Sequence, residues 1–203
     1  MASIIRLKQC IIQKGLTELE MEISTSKPYL LFGENSFSLK KHVSMLKNAL
    51  NQGDLADSNT SILDGQRISF DELNAKCATV PFLASYRLVI VENLFSSFEQ
   101  TKGRAKASKS KPAKFSESLS VWKNIAGNNH ILPDSTVLIF TDGQLSTSNA
   151  LLSSTRSRLQ VKEFKLPQGE QLLNWIRNAA TEKGATIPLS STKLLSNLVG
   201  PNL

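Results

Sequence analysis

Two runs in this sequence leave few choices of fold. Tyr86-Arg-Leu-Val-Ile-Val91 and Ser135-Thr-Val-Leu-Ile-Phe140 are almost continuous in apolar residues and rich in β-branched ones. A strand apolar at nearly every position has to be covered on both faces, the condition of a parallel sheet packed between helices. Shorter strands are predicted at Tyr29-Leu30-Leu31-Phe32, ending in Gly33, at Ser61-Ile62-Leu63, closed by Asp64-Gly65, and at 161–164. Helical spacing lies between them. Leu39, Val43, Leu46 and Leu50 recur on one face, with Ser36 as the expected N-cap and Gln52-Gly53 as the stop. Ser69 and Glu72 form a capping box that opens a helix over 70–79, and Pro81 prevents its continuation. Further helices are expected over 118–127 and, after a turn at Asp142-Gly143, over 148–157. This alternation predicts an α/β fold, a parallel sheet covered by helices.

After Leu166-Pro167 the pattern changes. Leu172, Trp175-Ile176 and Ala179-Ala180 share one helical face, and the run stops at Gly184. A second helix, capped by Ser190, carries Leu194, Leu195 and Leu198 up to Gly200-Pro201. Two helices with no strand between them read as the start of a separate helical unit. The expected division is 1–165 for the α/β unit and 166–203 for the first helices of the next. Two helices bury too little surface to be stable alone. The chain is therefore expected to be a fragment, or its last helices to pack on the first unit. At the other end, within 1–27, Leu19, Met21 and Ile23 alternate with glutamates as in a half-buried strand. Ser3–Gln13 fits a hairpin partner turning near Lys14-Gly15, and its spacing also tolerates a helix.

Apolar residues make up 40% of the 203 residues and charged residues 20%, ordinary globular proportions that argue against a disordered chain. No run approaches the roughly 20 apolar residues of a membrane span, and Arg6 and Lys8 interrupt any signal-peptide core. Cys10 and Cys77 make no disulfide framework and, with two histidines, no convincing metal site. These features point to a soluble cytoplasmic protein. The net charge of +7 is concentrated: residues 102–114, KGRAKASKSKPAK, hold six positives and no acid, and the remainder carries +1. The stretch 100–114 reads as a mobile basic loop that keeps the surface solvated, or as an arm touching nucleic-acid phosphates without sequence preference.

A glycine between the first buried strand and a helix is where a nucleotide-binding α/β protein places its phosphate loop. The run from Gly33 to Lys40, GENSFSLK, departs from G-x-x-x-x-G-K-[ST] at each essential position. Ser38 stands for the second glycine, Leu39 for the lysine and Lys40 for the magnesium-binding hydroxyl. Val91-Glu92-Asn93 lacks the paired acids of a working Walker B. ATP hydrolysis is not expected, no GxSxG or HExxH occurs, and no catalytic, cofactor or metal residues are assigned. His42 and His130 read as structural or solvated, and Asp142-Gly143 as a turn only.

One segment remains, Ala78-Thr-Val-Pro-Phe82-Leu83-Ala-Ser-Tyr-Arg87, between the capped helix and the buried third strand. Phe82 and Leu83 follow a helix-stopping proline. By residue type alone they tuck under the sheet edge. The alternative is an exposed apolar wedge for a partner's pocket, each side chain contributing about 1.5–3 kcal/mol on burial.

Four segments, taken in order, carry a family likeness: YLLFGENSFSLKKHV, DELNAKCATVPFLASYRLVIVENL, STVLIFTDGQL and the run from Lys162 to Leu203. Together they resemble the delta subunit of the bacterial DNA polymerase III clamp loader. The resemblance implies an AAA+-like parallel sheet with a non-functional nucleotide site, followed by the start of a small helical lid domain, with the family's collar domain absent. The basic insertion is not part of the family pattern, and the N-terminal stretch is longer than usual. The resemblance also implies a non-catalytic subunit that binds the ring-shaped sliding clamp and helps open it for loading on primed DNA. Its partners are the clamp, the ATPase and delta-prime subunits and primed DNA, with no membrane. Phe82 and Leu83 match the family's clamp-contacting positions, and Ser85-Tyr86-Arg87 keeps the family's following residues only approximately. Two other classes stay open: a divergent P-loop-like ATPase, and a nucleic-acid-binding module using the basic tract.

Overall fold

The computed structural model describes residues 4–7, 21–24, 27–50, 57–99, 119–126 and 132–200. In chain order these form β1 (Ile4–Leu7), β2 (Met21–Ser24), β3 (Tyr29–Phe32), α1 (Ser36–Leu50), β4 (Thr60–Asp64) and α2 (Phe70–Ala78). There follow β5 (Arg87–Glu92), α3 (Leu119–Trp122), β6 (Thr136–Asp142), α4 (Ala150–Thr155), β7 (Gln160–Glu163), α5 (Glu170–Glu182) and α6 (Leu189–Val199). The basic tract, Cys10, His130, the Lys14-Gly15 turn and the Gln52-Gly53 stop lie outside the described residues. β1 and β2 pair antiparallel, Ile4 opposite Ser24 and Leu7 opposite Met21, as a hairpin requires.

Five strands make one parallel sheet in the order β4-β5-β6-β3-β7. The α/β fold expected from the two apolar runs is the fold observed. Those runs are the neighbouring strands β5 and β6, and with β3 they take the centre; the mixed strands β4 and β7 take the edges. Successive residues feed opposite faces. Leu31, Leu88, Ile90, Val137 and Ile139 meet Leu39, Leu46 and Leu50 of α1. Leu30, Phe32, Val89, Val91, Leu138 and Phe140 form the other core with Leu73 and Cys77 of α2, Trp122 and Ile125, and Leu151 and Leu152 of α4.

The local punctuation differs in four places. Asn35, not Ser36, caps α1: its Oδ1 accepts the Ser38 N–H at 2.9 Å. α6 begins at Leu189, so Ser190 lies in its first turn and is not the cap. The helix expected over 118–127 is one α-turn followed by a 3-10 turn, Lys123–Ala126. β6 runs on through Thr141 to Asp142, which is therefore a buried strand end and not merely a turn. Ser69 does cap α2, accepting the Glu72 N–H at 3.1 Å.

α5 lies on α1. Phe37 meets Trp175 edge-on with ring centroids 5.7 Å apart, Lys41 Nζ sits 2.5 Å from Glu182 Oε2, and Leu172 and Ile176 are buried. α6 packs on α5 and leaves Leu189, Leu194, Leu195, Leu198 and Val199 exposed.

Candidate functional site

The connection from α2 to β5 is held at both ends. The Thr136 Oγ1 hydroxyl, on buried β6, donates to the Cys77 carbonyl at 2.9 Å, fixing the last turn of α2. Burial pushes the Cys77 thiol up to about 12, against the opposing pull of the Arg87 charge, so it behaves as an apolar core group. At the far end the Arg87 N–H donates to the Ser135 carbonyl at 2.7 Å, and Arg87 Nη2 donates to Ser61 Oγ at 2.8 Å.

Between these ends one side chain holds the loop. Asn59, fully buried just before β4, accepts the Phe82 N–H on Oδ1 at 2.6 Å and donates from Nδ2 to the Phe82 carbonyl at 2.9 Å. A single carboxamide thus pairs both backbone groups of Phe82, as a neighbouring strand would. The Asn59 carbonyl in turn accepts the Leu88 N–H at 2.8 Å, tying the clamp to β5. The next residue, Leu83, adopts φ +48°, a left-handed conformation disfavoured for a branched side chain.

The side chains do the opposite of the backbone. Phe82 is 61% exposed, Leu83 77% and Val80 80%. Both residues that the sequence singled out therefore sit together on one loop and face solvent, rather than tucking under the sheet. Sequence reasoning missed Val80, whose exposure adds to the same apolar tip. It also missed Asn59, whose only signal was an Asn immediately ahead of a strand.

The loop after β3 is built differently from a phosphate cradle. The Gly33 N–H donates to the Gly143 carbonyl at 3.1 Å and the Asn35 N–H to the Phe164 carbonyl at 3.0 Å. The Ser36 N–H donates to the Glu34 carbonyl at 2.9 Å, and Ser38 is taken by the Asn35 cap. These amides are the kind that would point at an anion in a phosphate loop, and each is engaged within the chain. Leu39, at the position of the missing lysine, is buried against the sheet. A cleft of about 460 Å³ lies between α1, β4 and the C-terminal ends of β5 and β6, with Leu39, Val43, Ile62 and Ile90 among its walls and Lys40 and Glu92 along it.

Asp142 closes the neighbouring strand end. Its carboxylate accepts the Phe95 N–H at 2.8 Å and the Ser96 N–H at 3.2 Å. Burial nevertheless pushes its carboxyl above the usual range, with those bonds pulling the other way. Asn149 ties the same corner together, donating to the Phe95 carbonyl and capping α4 through Leu151 and Leu152. Among the described residues no group of acids, histidines and cysteines is placed to hold a metal ion, and no helix is long and apolar enough to cross a membrane.

No curated protein matches the chain. Among solved structures it is similar to the Bacillus subtilis DNA clamp loader delta protein YqeN, with a TM-score of 0.63 at 21% identity, over 87% of this chain and 49% of that one. It is also similar to a DNA polymerase III gamma subunit-related protein from Thermotoga maritima, with a TM-score of 0.48 at 14% identity, over 77% of this chain and 45% of that one. The chain spans about half the length of each. The first likeness shows the same α/β fold. The family model for the delta subunit of DNA polymerase III matches residues 29–152, more than half of the chain. That span holds four of the five sheet strands, the loop after β3 and the Phe82-Leu83 tip, and the chain belongs to the DNA polymerase III delta subunit family.

Proposed function

We propose that this chain acts as the clamp-binding delta subunit of a bacterial clamp loader, gripping the sliding clamp through Phe82 and Leu83 and helping to open the ring for loading on primed DNA. The observation that carries this is the contrast at the α2–β5 connection. Its backbone is hydrogen-bonded into the fold while the Phe82 and Leu83 side chains stand in water. An ordinary surface loop has no reason to hold such residues out. A docking element does, because rigid apolar anchors lose little entropy when a pocket receives them.

In this reading the chain does no chemistry of its own, works in the cytoplasm and has neither cofactor nor metal. Opening the ring falls to a complex with the ATPase and delta-prime subunits. The engaged amides after β3 and the buried Leu39 support a nucleotide site that no longer takes ATP. Residues 1–165 form the α/β unit, and 166–203, with α5 and α6, begin the helical lid. Where the tract at 102–114 meets DNA, it does so through phosphates alone.

The test is the double variant Phe82→Ala/Leu83→Ala. Affinity for the purified cognate clamp should fall by about 2–4 kcal/mol, the scale of interface hot spots. Unfolding stability should stay within about 1 kcal/mol, as for exposed positions. A destabilised variant whose folded fraction still binds the clamp normally would sink the assignment.

A further inference from the structure

We infer that Asn59 is the positioning residue of the clamp-binding tip: it touches no partner itself, and it sets the affinity by holding Phe82 and Leu83 in their docking conformation. The inference rests on the function proposed above. Three observations lead to it. Both Phe82 backbone groups end on the Asn59 carboxamide, at 2.6 and 2.9 Å, across 23 residues of sequence. Asn59 is fully buried, so these bonds form out of competition with water. Leu83 beside them is held at φ +48° with its side chain exposed, so its own packing does not hold it there. A strained residue persists when its surroundings over-determine it, and here the Asn59 clamp and the Arg87 anchor supply the constraint.

The physical consequence is a conformational tax. Freed from Asn59, the loop spreads over many conformations, and apparent affinity falls by the fraction that remains competent to dock. Phe82 and Leu83 would still be present and the fold intact, yet the tip would bind poorly. A merely structural asparagine would lower the melting temperature and leave the affinity of the folded protein unchanged.

The experiment measures binding of the cognate sliding clamp to the full chain carrying Asn59→Ala, Phe82→Ala/Leu83→Ala, or all three changes, well below each melting temperature. Asn59→Ala alone should weaken binding 10- to 100-fold, with a lower association rate. Added to the Phe82→Ala/Leu83→Ala background it should change binding less than twofold, because there is no tip left to position. Amide exchange should show protection at Phe82 falling at least tenfold in Asn59→Ala. If Asn59→Ala does not fold, Asn59→Ser takes its place; its single, shorter hydroxyl cannot pair both Phe82 groups, and a 3- to 10-fold loss is expected. Binding within twofold of the unaltered chain, or an equal loss in both backgrounds, overturns the role of Asn59. A Phe82→Ala/Leu83→Ala variant that binds normally overturns the proposed function itself, and the two failures are thus told apart.

Discussion

In the proposed clamp-binding role, Leu83 serves binding against stability. Its left-handed backbone works against folding by about 1–2 kcal/mol, a strain glycine does not feel, although glycine gives back about 0.5–1 kcal/mol through its freer unfolded chain. Leu83→Gly should therefore leave stability unchanged or raise it by up to about 1.5 kcal/mol in urea unfolding, while clamp affinity drops. His42 provides a second residue-scale test. Its ring is tilted against Phe164, 5.5 Å between centroids, and burial, with the Lys162 charge behind it, lowers its pKa to about 4. The unfolded chain takes up this proton near pH 6.5, the folded chain near 4, so the unfolded state holds more protons in between. Stability should fall as pH drops through that window, and the slope should shrink in His42→Phe. A proton NMR titration of His42 with a midpoint near 6.5 would contradict the burial argument.

At the scale of elements, the strands were legible because continuous apolar character has one structural meaning, cover on both faces. The runs at 86–91 and 135–140 accordingly became the neighbouring strands β5 and β6. The caps were less legible. Asn35 and Ser36 are both good capping residues, and tertiary contact decided between them: Phe164 takes the Asn35 N–H and leaves its side chain to cap Ser38. Asp142 read as a turn because Asp-Gly usually is one; its two backbone bonds come from Phe95 and Ser96, 47 and 46 residues away. The tip itself was half legible. Residue type marked Phe82 and Leu83 and could not say whether they face in or out, because that depends on Asn59, a contact no local pattern encodes. Two substitutions probe these junctions. Gly33 has φ +139° and any Cβ there would overlap the Phe164 carbonyl, so Gly33→Ala should cost at least about 3 kcal/mol or prevent folding. Asn149→Ala removes the α4 cap and leaves the buried Phe95 carbonyl without that donor, and should cost about 2–3 kcal/mol in denaturant titration.

For the molecule as a whole, the sheet and the last two helices are tied together unequally. α5 is joined to α1 by the Phe37–Trp175 edge contact, the exposed Lys41–Glu182 pair and the buried Leu172 and Ile176. The exposed ion pair contributes about 1 kcal/mol at most, and the ring contact about 0.5–1.5 kcal/mol beyond its burial. α6 is attached mainly through α5 and keeps five large apolar side chains in water. Native-state hydrogen exchange should therefore show α6 amides opening first, α5 next, and β5 and β6 only on global unfolding. Slower exchange in α6 than in α1 would show the opposite hierarchy.

The closed loop after β3 resists conversion into a phosphate site. Suppose Ser38→Gly, Leu39→Lys and Lys40→Thr were introduced together, rebuilding the side chains of a phosphate loop. The amides of Gly33, Asn35 and Ser36 would still be spent on Gly143, Phe164 and Glu34, and a lysine would now enter the core where Leu39 packs against Leu31 and Ile90. The triple variant should lose stability on the order of 2–5 kcal/mol and gain no measurable ATP affinity by calorimetry. Restoring the side chains of a phosphate loop thus brings no phosphate site with it, because the backbone that would receive the anion is already satisfied within the chain.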